Sequence, residues 1–566
     1  MGNDKLQAQR RLILESKQKG KLAQIGAFCR LSGPGWLQSA TTLGGGSLAS
    51  ALYLGVLGGL GFMWLQPFAM ILGIIMLAAI SYVTLSIAQK PMNAINANLT
   101  PVLGYSWAAG SMLACFVFAW PQFALGVAAI TQNICVMQTA PSQTVEIIIT
   151  ASLFMLAMIM ITVYARGGGG VKIFELFIKL SVAAIVVCFF GVVISLTASG
   201  KIDWAKVAAG FVPNLSVFTS PSADFMEYIS KLPESGAKFW SGMIVSQQID
   251  VVISAAAMAV GINMTFLFPY SMLKKGWDKD FRGLAIFDLA TGLFIPFLLA
   301  TSCIVIAATS QFHATPAAGL AESSIAGGQL RPAVVGGVEL KPAANLVGGY
   351  IQLLDARLAD GNPDFEKLPE SAKDAARNAL PLAEKQMAAM LVKRDASNLS
   401  ETLAPLVGDD VARYIFGFGV LGMALNAVLM NMLICGLCFA EIFKKGGNAK
   451  WQIAGSSLIA ISAAASIFFK GARMWLVIYA GVMAAVLLPI AYGAFLLIIN
   501  SRKILGSETP RGKSRLLWNV LMGCSLAASC TASLWVLYHK IGIAGPIAFG
   551  VFFAVVIISA LVFKRK

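Results

Sequence analysis

The sequence predicts an all-α polytopic membrane protein of about 12 transmembrane helices. Hydrophobic residues make up 57% of the chain and charged residues only 12%. A soluble domain carries roughly 25% charged residues. Mean hydropathy is +0.75. Apolar stretches near the ~20 residues needed to span a bilayer recur at 34–57, 61–88, 105–136, 145–164, 171–197, 248–273, 282–309, 411–443, 451–469, 473–499, 516–538 and 542–563. Two of these stretches are broken. Gly44-Gly45-Gly46-Ser47 interrupts the first, and the Asn263-Met264-Thr265 region with Pro269 interrupts the sixth. Unwound backbone at membrane depth is tolerated only where it packs against protein or lines a cavity. Helices broken at matching places in two halves mark a transporter's substrate site.

The chain opens on a basic arm, residues 1–30, with Lys5, Arg10, Arg11, Lys17, Lys19, Lys21 and Arg30. No short apolar core with a cleavage site follows, so the arm reads as one that rests on anionic lipid headgroups, not as a signal sequence. Segments 1–7 occupy 31–309. Positive charge recurs in alternate loops: at Lys90, at Arg166 and Lys172, from Lys274 to Arg282, from Lys444 to Lys450, from Arg502 to Arg515, and in Lys564-Arg565-Lys566. The positive-inside rule then puts both termini in the cytoplasm of a multi-pass cell (inner) membrane protein. The net charge of +16 is divided among loops of one face, which argues for topology and against nucleic acid as a partner.

Residues 310–410 form a net acidic insertion expected on the outer side, together with the loop 199–246. Helical spacing between Pro363 and Leu406 predicts one or two amphipathic helices over the outer mouth. Segments 8–12 occupy 411–566. The Gly167–Gly170 run lacks the Lys-Ser/Thr ending of a phosphate loop. The nine cysteines show neither disulfide nor zinc spacing. No nucleophile–base constellation is visible, so no enzyme and no cofactor is expected.

Gly33-Pro34-Gly35-Trp36-Leu37, followed by Ser39, resembles the opening of the first helix in the Nramp family of divalent-metal transporters. Lys172-Ile173-Phe174-Glu175 is similar to the start of its fifth helix. Asp203-Trp204 through Gly210-Phe211-Val212-Pro213 is similar to its approach to the sixth. Phe439-Ala440-Glu441 resembles the end of its eighth, and Leu487-Leu488-Pro489-Ile490-Ala491 leading to Asn500 through Gly506 resembles its tenth. The resemblance implies an amino-acid-transporter-like (LeuT-type) fold. That fold has an inverted 5+5 repeat, segments 1–5 and 6–10, with helices 1 and 6 broken and two further helices after them.

The resemblance also sets a site. It lays the family's Asp-Pro-Gly-Asn break on Gly44-Gly45-Gly46-Ser47, its metal-binding methionine on Thr265, and a histidine two residues later on Leu267. A metal-binding carbonyl falls on Ile262, a glutamine of segment 8 on Asn426, and one of segment 10 on Leu487. By this register the family's carboxylate and thioether are both replaced. The remaining candidates are hard oxygens: the Ser47 and Thr265 hydroxyls as metal ligands, the Asn263 and Asn426 amides, and carbonyls of the unwound backbone. The candidate substrate-binding set is Gly44, Gly45, Gly46, Ser47, Ile262, Asn263, Thr265 and Asn426. Gln38, Thr41, Thr42 and Gln122 could line the same cavity.

The expectation is an alternating-access carrier of a divalent cation, weakly selective. Hydrated magnesium is a candidate because that ion gives up its waters reluctantly. Segment 3 has no acid between Tyr105 and Cys135, so proton coupling is not expected. Asp288 in segment 7 is the candidate gate or coupling residue. One rival is a carrier of a small neutral or anionic solute, which an uncharged site and bare glycine amides would suit. The other is a non-transporting sensor built on the 310–410 insertion.

Overall fold

The computed structural model describes residues 2–565 except 32–33, 136, 138–140, most of 167–192, 201, 336, 395–408 and 469–472. Among the described residues, 11 helices are long and apolar enough to cross a membrane. The predicted segment 5 lies largely outside the described residues.

Segment 1 is two helices, Pro34–Thr42 and Gly45–Gly58. Segment 6 is also two, Glu234–Ala259 and Ile262–Lys274. The sequence places both breaks slightly off. In segment 1 the helix resumes at Gly45, and Gly44 stands outside it with extended backbone, φ −106°. In segment 6 the break is Val260-Gly261, and Asn263, Met264 and Thr265 already form the first turn of the second half. Pro269 sits inside that half without breaking it. Segment 6 also starts at Glu234, not near 248. Its first turns are polar, which hid them from hydropathy, but Pro233 and Glu234 make a sound N-terminus.

The first half of segment 6 and helix Ile295–Phe312 of segment 7 flank helix Gly45–Gly58. A Cβ on Gly55 would stand 2.7 Å from the Val305 carbonyl oxygen, so these two helices touch backbone to backbone, as small residues allow in membranes. Segment 3, Pro101–Ala128, packs along segment 8, Asp409–Ile442. Segments 3 and 7 each carry a π turn, at Ala129–Ile134 and Ala290–Phe294.

The face bearing the termini is fastened by charge. Arg10 in helix Gly2–Gln18 pairs with Asp278 and Asp280, Lys90 with Glu441 at 2.6 Å, and Arg282 with Glu508 at 2.8 Å. Exposed pairs of this kind contribute little singly, but Glu441 is only 8% exposed.

The insertion caps the opposite end. It is not purely helical. Two short antiparallel hairpins, Ser324–Ala326 with Gln329–Arg331 and Ala333–Val335 with Val338–Leu340, precede its helices. Helix Ala344–Gly361 lies before the stretch predicted as helical, burying Leu346, Tyr350 and Leu354 at four-residue spacing. Helices Glu370–Ala379 and Leu382–Leu391 fall inside that stretch. Arg377 gathers Asp355, Glu370 and Asp374. Glu384 accepts from Arg357 at 2.6 Å and from the Trp240 indole at 3.3 Å. That last contact ties the insertion to segment 6. The Tyr53 hydroxyl donates to the Arg394 carbonyl at 3.0 Å, tying it to segment 1.

Candidate substrate site at the paired breaks

Glycine lacks a Cβ and carries a helix penalty of about 1 kcal/mol relative to alanine. Three in a row therefore favour a break where the amides and carbonyls have other partners. At the segment 1 break the Ser47 hydroxyl donates to the Thr42 carbonyl, satisfying one acceptor left open at the end of the first half-helix. The Thr42 hydroxyl crosses to the other break. It donates to the Ala259 carbonyl at 3.1 Å and lies 3.4 Å from the Met264 sulfur. Asn263 folds its side-chain oxygen back onto the Met264 amide at 2.9 Å and donates to Asn431 of segment 8 at 3.0 Å. The two breaks are thus joined to each other and to segment 8 by neutral hydrogen bonds.

Between them lies a buried cavity of about 30 Å³. Segment 1 supplies Thr41, Thr42, Gly44 and Gly46. Segment 6 supplies Met258, Gly261, Asn263 and Met264, and Gln122 and Asn431 reach it from segments 3 and 8. The glycines are required here by close approach. A Cβ on Gly46 would collide with the Met258 sulfur, and one on Gly45 with the Gln122 amide oxygen. That oxygen is buried and has no hydrogen-bond partner among the described residues. No carboxylate lines the cavity, and among the described residues no three His, Cys, Asp or Glu side chains gather into a metal-binding group.

The candidate residues divide. Gly44, Gly46 and Asn263 line the cavity. Gly45 lies directly behind it against Gln122. Ser47 is turned onto the Thr42 carbonyl and does not line it. Thr265 faces segment 3: its hydroxyl donates to the Ile262 carbonyl and accepts from the Trp107 indole at 3.0 Å. The Ile262 carbonyl also accepts from Ser111 at 3.3 Å, so it is already engaged. Asn426 is fully buried on segment 8, with neither amide atom partnered among the described residues and no place in the cavity lining. Ser47 and Thr265 are therefore not placed as metal ligands. Two thioethers do stand at the cavity, away from the register position at Thr265: Met258 and Met264 both line it. Thr42 and Gln122 line it too, and Gln38 does not.

Asp288 stands elsewhere. It is fully buried in helix Arg282–Leu289, two residues before the π turn. Its carboxylate accepts from the Gly35 amide at 2.5 Å. That amide belongs to the first turn of Pro34–Thr42, where the positive end of the helix dipole favours an anion. Asp288 thus caps half-helix 1 from segment 7.

Residues 380–539 match the family model described as natural resistance-associated macrophage protein-like. No curated protein matches the chain. Among solved structures, it is similar to the manganese transporter of Eremococcus coleocola in complex with an aromatic bis-isothiourea substituted compound. Identity there is 11%, over 96% of this chain and 93% of that one, with a TM-score of 0.58. A mutant of the same transporter matches at 13% identity over 95% and 96%, with a TM-score of 0.59. The shared fold is the LeuT-type inverted repeat.

Proposed function

We propose that this Nramp-related chain is a secondary transporter of divalent metal cations that works by alternating access around its two broken helices. The carrying observation is the cavity where both breaks meet, lined by two thioethers, two threonines and three side-chain amides. Its structural neighbours are manganese transporters, and the coarser reading of metal transport rests on them and on the family match.

The finer reading concerns the ion. A space of about 30 Å³ takes roughly two waters, fewer than the several that magnesium usually keeps. Thioethers also favour softer metals over magnesium. The geometry therefore favours a dehydrated transition-metal ion over hydrated magnesium. The missing carboxylate makes that binding weak, since no protein charge offsets dehydration of the dication. A proteoliposome flux panel over manganese, magnesium, calcium and small organic anions tests this. Manganese flux should exceed magnesium flux by about tenfold, a difference of about 1.4 kcal/mol. Anion flux with no metal flux would replace the reading by that of an anion carrier.

The transport is proposed to be uncoupled from protons. Asp288 serves as a cap, and an asparagine oxygen can accept from the Gly35 amide equally well. Asp288→Asn should therefore keep flux within about twofold of wild type. A pH-sensitive dye in the vesicle lumen should show no metal-dependent acidification in either protein. Acidification in the wild type that vanishes in Asp288→Asn would make this residue a proton carrier.

A further inference from the structure

A second pocket, of about 650 Å³, lies at the end of the molecule opposite the termini, between segment 6, two later membrane helices and the insertion. Asp250 of segment 6, Trp475 and Tyr479 of helix Arg473–Ala485, Lys540 of helix Gly512–Ile541 and Lys393 of the insertion all line it. We propose that this pocket binds a small oxyanion that carries its own O–H group, of the hydrogen phosphate class.

Its charges are incompletely matched. Lys540 donates to one Asp250 oxygen at 3.1 Å. The other Asp250 oxygen is buried without a hydrogen-bond partner among the described residues. Lys393 has no carboxylate within ion-pair distance among the described residues. Its ammonium lies 4.5 Å from the Trp475 ring centre and 5.9 Å from that of Tyr479, and Lys540 approaches the same Tyr479 ring at 5.6 Å. Two ammonium groups thus share one tyrosine ring, and only Lys540 of the two pairs with a carboxylate among the described residues. Burial lowers Lys393 to about 8, and Lys540 adds to the effect while Asp250 opposes it. Lys238 and Asp360, which also line the pocket, add one charge of each sign, so the lining keeps one surplus positive charge.

Each deficit names a feature of the ligand. The ammonium groups need acceptors, and a negative ligand relieves the cost of a desolvated cation. The orphaned Asp250 oxygen needs a donor. A protonated oxyanion supplies acceptors and a donor together. A fully ionised oxyanion would set negative charge against the Asp250 oxygen, and a metal cation would meet the lysines. The pocket is therefore distinct in chemistry from the neutral cavity at the breaks.

Calorimetry on the full chain in detergent, with inorganic phosphate and sulfate at pH 7, tests the proposal. Phosphate should bind saturably, and sulfate, which has no proton at that pH, at least tenfold more weakly. Lys393→Gln should weaken phosphate at least tenfold, while Lys393→Arg, which keeps the charge, should retain binding and so exclude a folding failure. Asp250→Asn places an amide donor where the orphaned oxygen was and should bring sulfate up to phosphate. No saturable phosphate binding, equal binding of the two anions by wild type, or indifference to Lys393→Gln would overturn the proposal. Metal flux is read separately in vesicles, so failure here leaves the transport reading standing.

Discussion

Alanine at position 35 should yield little or no folded protein. A Cβ on Gly35 would overlap the Asp288 carbonyl oxygen and stand 2.8 Å from its carbonyl carbon. Those are backbone atoms, so no rotamer change relieves the clash. Helix Pro34–Thr42 would have to move off segment 7, losing the Gly35 amide's bond to the Asp288 carboxylate. The carboxylate would then be buried without that donor. Overpacking costs about 1–3 kcal/mol, and a lost hydrogen bond to a buried charged group adds about 1.5–3. Together these approach the whole stability of many domains. Fluorescence-detected size-exclusion chromatography measures the outcome as loss of the monodisperse peak. Normal yield, thermal midpoint and flux in Gly35→Ala would show that the two backbones do not approach this closely.

Met264→Leu should erase most of the preference for manganese while leaving the protein folded. Leucine conserves volume, and such swaps usually cost less than about 1.5 kcal/mol. The Thr42 hydroxyl keeps the Ala259 carbonyl as acceptor, so nothing polar is stranded. Only the sulfur is lost, and the thioether is what distinguishes a softer ion from magnesium in this lining. The manganese-to-magnesium flux ratio should fall about tenfold, toward one, an effect of about 1.4 kcal/mol. An unchanged ratio would mean that Met264 does not touch the ion, and the same measurement on Met258→Leu would then locate the selectivity at the other sulfur.

The paired breaks could be read from the sequence because local composition encodes them: three glycines in one apolar run and a polar triplet in another. Their boundaries could not. Asn263 to Thr265 looked unwound, yet Asn263 bonds the next amide and so starts a helix. Pro269 looked like a breaker, but helix Ile262–Lys274 continues through it. The cavity's sulfurs were missed for a related reason. Met258 and Met264 lie among apolar residues, and only the three-dimensional break turns both inward. Thr265 was assigned by register, where a shift of one residue is about 100° around a helix. The role of Asp288 was illegible because its partner is 253 residues away. The hairpins of the insertion are three residues per strand, too short for period-two alternation to show.

The bare wall at Gly44 limits the routes open to this chain's descendants. Its backbone has φ −106°, a value any residue adopts, so aspartate there would not be strained. The obstacle is the neighbour: a Cβ at position 44 would stand 3.0 Å from the Ala427 methyl on segment 8. A side chain at position 44 would need that methyl, and segment 8 with it, to give by a few tenths of an ångström. A carboxylate at the segment 1 break therefore depends on a small shift of segment 8, whereas the Asn263, Asn431 and Gln122 amides that line the cavity each stand one isosteric substitution from a carboxylate.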